Sequence, residues 1–184
     1  MGNGSGLEPG DHLCALYETS EEKERFVATF AMDGLRRNER VCVISDGLSQ
    51  DALPRALSNN GFDVPALVKG KRLVFLSSLE TYRCGERFRS SDMLELWDGL
   101  IRSALHDGFS ALRATGETAW LLDEPERVEE YLEYEHGVGE ALRQKACVAR
   151  CHYEAGLFNP ALLRELFKVH SHVGLGAPHS QADL

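Results

Sequence analysis

Five short apolar runs punctuate the chain, at His12–Tyr17, Arg40–Ser45, Arg72–Ser77, Ser110–Ala114 and Ala146–Tyr153. Val, Ile, Leu, Phe and Cys dominate them, and none contains Pro or an internal Gly, which is the pattern of strands buried on both faces. Between the runs, apolar residues recur at helical spacing. From Ser20, a reasonable N-cap, Phe26, Val27, Phe30, Ala31 and Leu35 fall on one face; Lys23 follows three residues on, so Ser20 heads no strict capping box. Asp51–Asn60 reads as a shorter helix that stops at Gly61, a natural C′ residue. Ser90 or Ser91 starts a longer one, with Met93, Leu94, Trp97, Leu100, Ile101, Ala104 and Leu105 on its apolar side. Pro125 and Pro160 each open a helix at its first turn, the first carrying Val128, Tyr131, Leu132, Val138 and Leu142, the second Leu162, Leu163, Leu166 and Phe167.

Uniformly apolar strands alternating with helices predict an α/β fold of three layers, a mostly parallel sheet flanked by helices. In such sheets ligands bind outside the carboxyl ends of the strands, so candidate chemistry is sought there. Composition fits that architecture. The chain has 184 residues, 43% hydrophobic and 27% charged, enough for a single domain that buries about 70% of its unfolded surface without disulfide or metal. The ordered core is expected over about 8–173, with flexible ends at 1–7 and 174–184, where Gly, Pro, Ser and Asn collect. A net charge of −9 argues against direct nucleic-acid binding, which wants clustered Lys and Arg. No apolar run approaches the ~18 residues of a membrane span. The first ten residues lack the basic and apolar regions of a secretory signal, and five cysteines, an odd number, read as reduced thiols. A cytoplasmic protein with no membrane partner is expected.

At the first strand end, Tyr17–Lys23 has no glycine and three carboxylates where a phosphate-binding loop needs glycines followed by Lys and Ser or Thr. ATP is therefore not an expected ligand. After the fourth run, Arg113-Ala114-Thr115-Gly116-Glu117 and Trp120 set a cation, a carboxylate and an aromatic around one glycine. They read either as a structural Arg113–Glu117 pair with Trp120 in the core, or as a pocket wall. His12 and Cys14, two apart on a strand, face the same way; Cys147, Cys151 and Tyr153 share one face of the fifth strand, and His152 takes the other. Were the first and fifth strands neighbours, His12, Cys14 and Cys151 could converge on zinc or another soft metal, although buried cysteines commonly serve as small apolar residues. His170, seven residues after Leu163, suits a helix C-terminus, where its ring can bond terminal carbonyls. From Glu117 to Glu135 eight carboxylates face Arg127 alone, which reads as a solvated helix face or a docking surface for a basic partner.

In order and spacing, several blocks resemble the MEDS domain family, the methanogen/methylotroph sensory domain of DcmR-type regulators. They are Pro9-Gly10-Asp11-His12-Leu13-Cys14-Ala15-Leu16-Tyr17 with Glu21-Glu22, Asn38-Glu39-Arg40-Val41, Arg113-Ala114-Thr115-Gly116-Glu117 with Trp120, Tyr134-Glu135, Cys151-His152-Tyr153, Phe158, and Val169-His170. The stretch from Phe30 to Leu76 is also similar to the KaiC/RecA-like ATPase core, with Asp46 where such enzymes place a water-activating carboxylate. The resemblance implies a RecA/KaiC-like scaffold lacking the Walker motifs: a catalytically degenerate sensory unit, not an enzyme. It implies a small organic ligand at the carboxyl edge, contacted or supported by His12, Cys14, Tyr17, Asp46, Arg113, Glu117, Trp120, Cys151 and Tyr153. The signal would pass to a separate kinase or transcription regulator, or through a homodimer. The alternatives are a metal-dependent or residual nucleotide-binding enzyme, and a ligand-free interaction module docking through Glu129, Glu130 and Glu133.

Overall fold

A computed structural model describes residues 6–45, 51–82 and 88–175. Six strands, β1 (His12–Tyr17), β2 (Arg40–Ile44), β3 (Leu73–Leu76), β4 (Leu112–Glu117), β5 (Cys147–Glu154) and β6 (His172–Leu175), form one sheet in the order β3-β2-β4-β5-β1-β6. Every pairing is parallel. Helices α1 (Ser20–Arg36), α2 (Ala52–Asn59) and α3 (Val64–Lys69) cover one face. Helices α5 (Ser90–His106), α6 (Val128–Leu142) and α7 (Pro160–Val169) cover the other, and α4 (Ser78–Tyr82) follows β3 directly. The expected three-layer α/β architecture is therefore the observed one. Among the described residues, no helix is long and apolar enough to cross a membrane.

Alternation along β2 shows how the sheet serves two cores. Val41 and Val43 pack against Val27, Ala31 and Leu35 of α1, while Cys42 and Ile44 join the larger core under α5–α7. Both sets are apolar because both faces are covered. Of the α1 residues expected on one face, Val27, Phe30, Ala31 and Leu35 are buried and Phe26 is half-buried, each large buried one contributing about 1.5–3 kcal/mol by leaving water.

The N-cap of α1 is Thr19, one residue before the expected Ser20. That shift restores a near capping box: the Thr19 hydroxyl accepts from the Glu22 N–H at 3.2 Å, and the Glu22 carboxylate accepts from the Glu18 N–H at 2.8 Å. Helix α2 stops where expected, with Gly61 at φ +82° and its N–H bonded to the Ser58 carbonyl. Pro125 opens a short 3₁₀ turn, Pro125–Arg127, from which α6 continues.

Three differences from the sequence reading have physical causes. Strand β4 ends at Glu117 rather than Ala114, because its polar residues Arg113, Thr115 and Glu117 are buried and Arg113 and Glu117 are ion-paired across the fold. Helices α3 and α4 are too short to carry a period. Strand β6 takes Gly174 and Leu175 out of the expected loose tail by pairing with β1. Its approach is fixed by Ser171, whose N–H donates to the His12 carbonyl at 2.7 Å and whose hydroxyl accepts from the His12 N–H at 3.0 Å.

Candidate functional site

Because β1 and β5 are neighbours with Cys14 opposite Cys151, His12 and Cys151 project from the sheet toward α6 and α7. Their atoms meet: His12 Nε2 lies 3.5 Å from Cys151 Sγ. Glu135 of α6 completes the contact, its Oε2 3.2 Å from His12 Nε2 and both its oxygens 3.6 Å from Cys151 Sγ. His170, just past α7, places Nε2 3.1 Å from the same Glu135 Oε2. All four side chains are buried, and one donor atom of each lies within 4.8 Å of the others.

Each position has a structural origin. Glu135 follows Tyr131 by four residues and precedes Val138 by three, so it falls on the buried stripe of α6 while Glu129 and Glu133 stay exposed. The acidic run is thus not uniformly solvated. The phase of Glu135 within the apolar stripe was the signal that could have identified it. His170 bonds its helix end as expected, Nδ1 donating to the Leu166 carbonyl at 2.7 Å. That bond leaves Nε2 facing the cluster. Cys14 is buried beside these four residues without being one of them.

Electrostatics follow from burial. Desolvation pushes the His12 imidazole down and the Cys151 thiol well up, the nearby Glu135 charge adding to the latter. Burial alone would raise the Glu135 carboxyl, but hydrogen bonds from His12 and His170 overcome it and hold the group well below the usual carboxylate range. The Cys14 thiol is pushed up to about 12 by burial and the Glu135 charge, so it is no nucleophile at neutral pH.

A second polar group lies on the opposite face, beneath α1. Arg113, Thr115 and Glu117 of β4 alternate with Val148, Arg150 and His152 opposite them on β5, forming a polar column. At its amino end Arg113 is ion-paired with Glu39 and both are buried. Arg113 is therefore neither the partner of Glu117 nor a group at the ligand edge: it sits deep in the sheet. At the carboxyl end Glu117 accepts from Lys23 Nζ and from the Ser45 hydroxyl, both at 2.6 Å. Here a shallow open depression with a cavity volume of about 10 Å³, room for one water-sized group, is lined by Lys23, Ser45, Thr115, Glu117 and His152, with Val27 and Val43 as its apolar floor. Both His152 nitrogens and the Thr115 hydroxyl are buried and have no hydrogen-bond partner among the described residues.

The remaining expected site residues divide between core and edge. Tyr17 is buried at the end of β1, with Lys23 Nζ 5.7 Å from its ring centre. Trp120 packs in the larger core on Tyr82 and Phe88, ring centres 5.2 and 5.1 Å away. Tyr153 shares a 3.0 Å hydroxyl contact with Tyr131 and its ring abuts His170. Asp46 lies outside the described residues. The expected single cluster is thus two sites on opposite faces. His12 and Cys151 belong to one, Glu117 to the other, and His152 joins the second unforeseen.

The state of His152 has a measurable consequence. Burial first, then the Arg150 and Lys23 charges, lowers it well below its ordinary 6.5, with Glu117 the facing carboxylate. Below pH 6.5 the unfolded chain takes up a proton there that the folded chain refuses, so stability is full above that pH and falls as pH drops. One such group contributes a slope of up to about 1.4 kcal/mol per pH unit. Urea midpoints at pH 7.5 and 5.5 should therefore diverge less in His152→Leu than in the wild type. Equal divergence would mean that His152 protonates within the fold.

A family profile described as MEDS, the methanogen/methylotroph, DcmR sensory domain, matches residues 11–171. No curated protein matches the chain significantly.

Proposed function

Because the chain belongs to the MEDS family of sensory domains, we propose that it senses a small neutral organic molecule bound at the carboxyl edge of the sheet, beneath the first turns of α1. The observation that carries this reading is the pair of buried, unpartnered hydrogen-bonding groups, His152 and Thr115, that line the depression. A neutral imidazole and a hydroxyl suit one alcohol, carbonyl or amide group, while Val27 and Val43 suit a short carbon skeleton. Lys23 and Glu117 neutralise one another, which favours an uncharged ligand. The signal then passes to a separate protein, a kinase or transcription regulator, or to a second copy of the chain.

Catalysis is not part of this reading. The β1–α1 connection is only Glu18-Thr19, and the Glu22 carboxylate accepts the Glu18 N–H there. A short, glycine-free junction with a carboxylate at the helix N-terminus supports a scaffold without nucleotide hydrolysis.

Thermal melting against a panel of alcohols, aldehydes, ketones and amides of one to four carbons tests the proposal. A binder at 100 times its Kd adds about 2.7 kcal/mol, or roughly 5–10 °C for a domain of this size. The shift should vanish in Thr115→Val and His152→Leu. A panel that leaves the folded wild type unmoved, or a shift that both variants retain, would overturn it.

A further inference from the structure

Independently of the ligand pocket, we propose that His12, Glu135, Cys151 and His170 form a closed tetrahedral site for a divalent transition metal, zinc by the chemistry of its donors. Three observations converge. The first is spacing. A tetrahedral zinc ion with bonds of about 2.0–2.1 Å to nitrogen and oxygen and about 2.3 Å to sulfur separates its ligand atoms by about 3.3–3.6 Å. The contacts here are 3.1 and 3.2 Å between histidine nitrogens and Glu135, 3.5 Å between Cys151 and His12, and 3.6 Å between Cys151 and Glu135. Four of the six donor pairs already stand close to ligand-to-ligand separations, and all four atoms lie within 4.8 Å of one another.

The second is orientation. His170 Nδ1 donates to the Leu166 carbonyl at 2.7 Å, so once the proton that Nε2 shares with Glu135 is released to solvent, the Nε2 lone pair is directed at the cluster. The bond from Nδ1 is the outer hydrogen bond that fixes the tautomer of metal-bound histidines. The third is charge. Two neutral imidazoles, one thiolate and one carboxylate carry −2 and cancel a dication, so the occupied site is neutral in a buried region. On binding, the Cys151 thiol proton leaves to solvent as the sulfur–metal bond forms.

The site has four protein donors and buried walls, which fits a structural metal rather than a catalytic one with an open position. It would tie β1, α6, β5 and the entry to β6 together, residues spread from 12 to 170. The bare set would instead be a hydrogen-bonded His–Glu–His group beside a thiol. The two differ in what the folded protein retains.

The test is metal analysis of the purified chain after chelator dialysis and reloading with Zn²⁺ or Co²⁺. The expected result is one ion per chain surviving desalting, a higher melting temperature with Zn²⁺, and a Co²⁺ spectrum with intense tetrahedral ligand-field bands and a thiolate charge-transfer band. Cys151→Ser should abolish the charge-transfer band. Glu135→Gln and His170→Gln should weaken binding by roughly 100-fold or more, beyond what loss of an outer-sphere partner costs. Cys14→Ala should keep both metal and spectrum. Should the ligand variants not fold, the wild-type Co²⁺ spectrum decides alone. A folded wild type that holds no ion, weak octahedral bands without charge transfer, or binding unchanged in Cys151→Ser and Glu135→Gln would overturn the proposal.

Discussion

Replacing Glu39 with Gln should destabilise the fold by about 3–5 kcal/mol, because it strands the Arg113 guanidinium in a dry interior. Arg113 is fully buried and its ion-pair partner nearly so. Its ring neighbour Phe30 lies 4.7 Å from the guanidinium carbon, with the Arg150 guanidinium carbon 4.4 Å from the same ring centre. Arg150 is itself lowered to about 10 by burial and by the Arg113 charge, so removing the carboxylate leaves two cations on one phenyl ring. Gly34 fits this arrangement: a Cβ there would stand 2.5 Å from Arg113 Cδ. Arg113→Met should cost as much, by stranding Glu39. The double replacement Glu39→Leu with Arg113→Met should recover most of the loss or exceed wild type. Nη1 and Nη2 of Arg113 have no hydrogen-bond partner among the described residues, so the native pair only partly offsets its own desolvation. Urea unfolding of the wild type, Glu39→Gln, Arg113→Met and the double variant measures it. Single changes costing under about 1 kcal/mol would show that the site is wetter than its burial implies.

Phe88→Ala should cost a further, independent 3–5 kcal/mol through the cavity it leaves. Phe88 is fully buried, with ring centres of Trp120, Tyr134 and Tyr131 at 5.1, 5.4 and 6.1 Å. Pairs of this geometry add about 0.5–1.5 kcal/mol each beyond the area they bury, so the loss belongs at the upper end of the range. Tyr134 also accepts the Trp97 indole N–H at 2.7 Å, which ties α5 to α6. Loosening Phe88 should therefore shift the emission of both buried tryptophans to the red in the native state and lower the melting temperature by roughly 6–20 °C. Phe88→Leu, which keeps most of the volume, should lose less than half as much. Equal stability of Phe88→Ala and wild type would mean that the ring cluster collapses without a cavity.

The architecture was legible because β1 and β2 carry apolar residues on both faces and β4 and β5 keep an apolar stripe on one, a pattern that needs no partner information to be seen. What escaped detection depends on distant pairings. Strand β6 is a four-residue edge containing a glycine, and only its register with β1 and the Ser171–His12 bonds make it a strand. The second half of β4 reads as a polar loop until Lys23 is seen to meet Glu117. Alternation placed His12 and Cys151 on faces that could converge, and the β1–β5 neighbourhood realised it. Glu135 was hidden by its own context, one carboxylate among eight, although its helical phase with Tyr131 and Val138 set it apart. Arg113 escaped for the opposite reason. Residue types alone suggested Glu117 as its partner, whereas β4 points both toward α1 at different depths and Glu39 reaches the deeper one.

The sheet order also governs assembly as the chain is made. Among the described residues, strand β1 pairs with β5 and β6 alone, whereas β2, β3 and β4 find one another within residues 40–117. During synthesis the middle of the sheet can therefore form while the first strand, the apolar hexapeptide HLCALY, waits without a neighbour for more than half the chain. An apolar strand left exposed that long is a natural client for ribosome-associated chaperones. Its capture by β5 and then by β6 closes long loops, late and at high contact order.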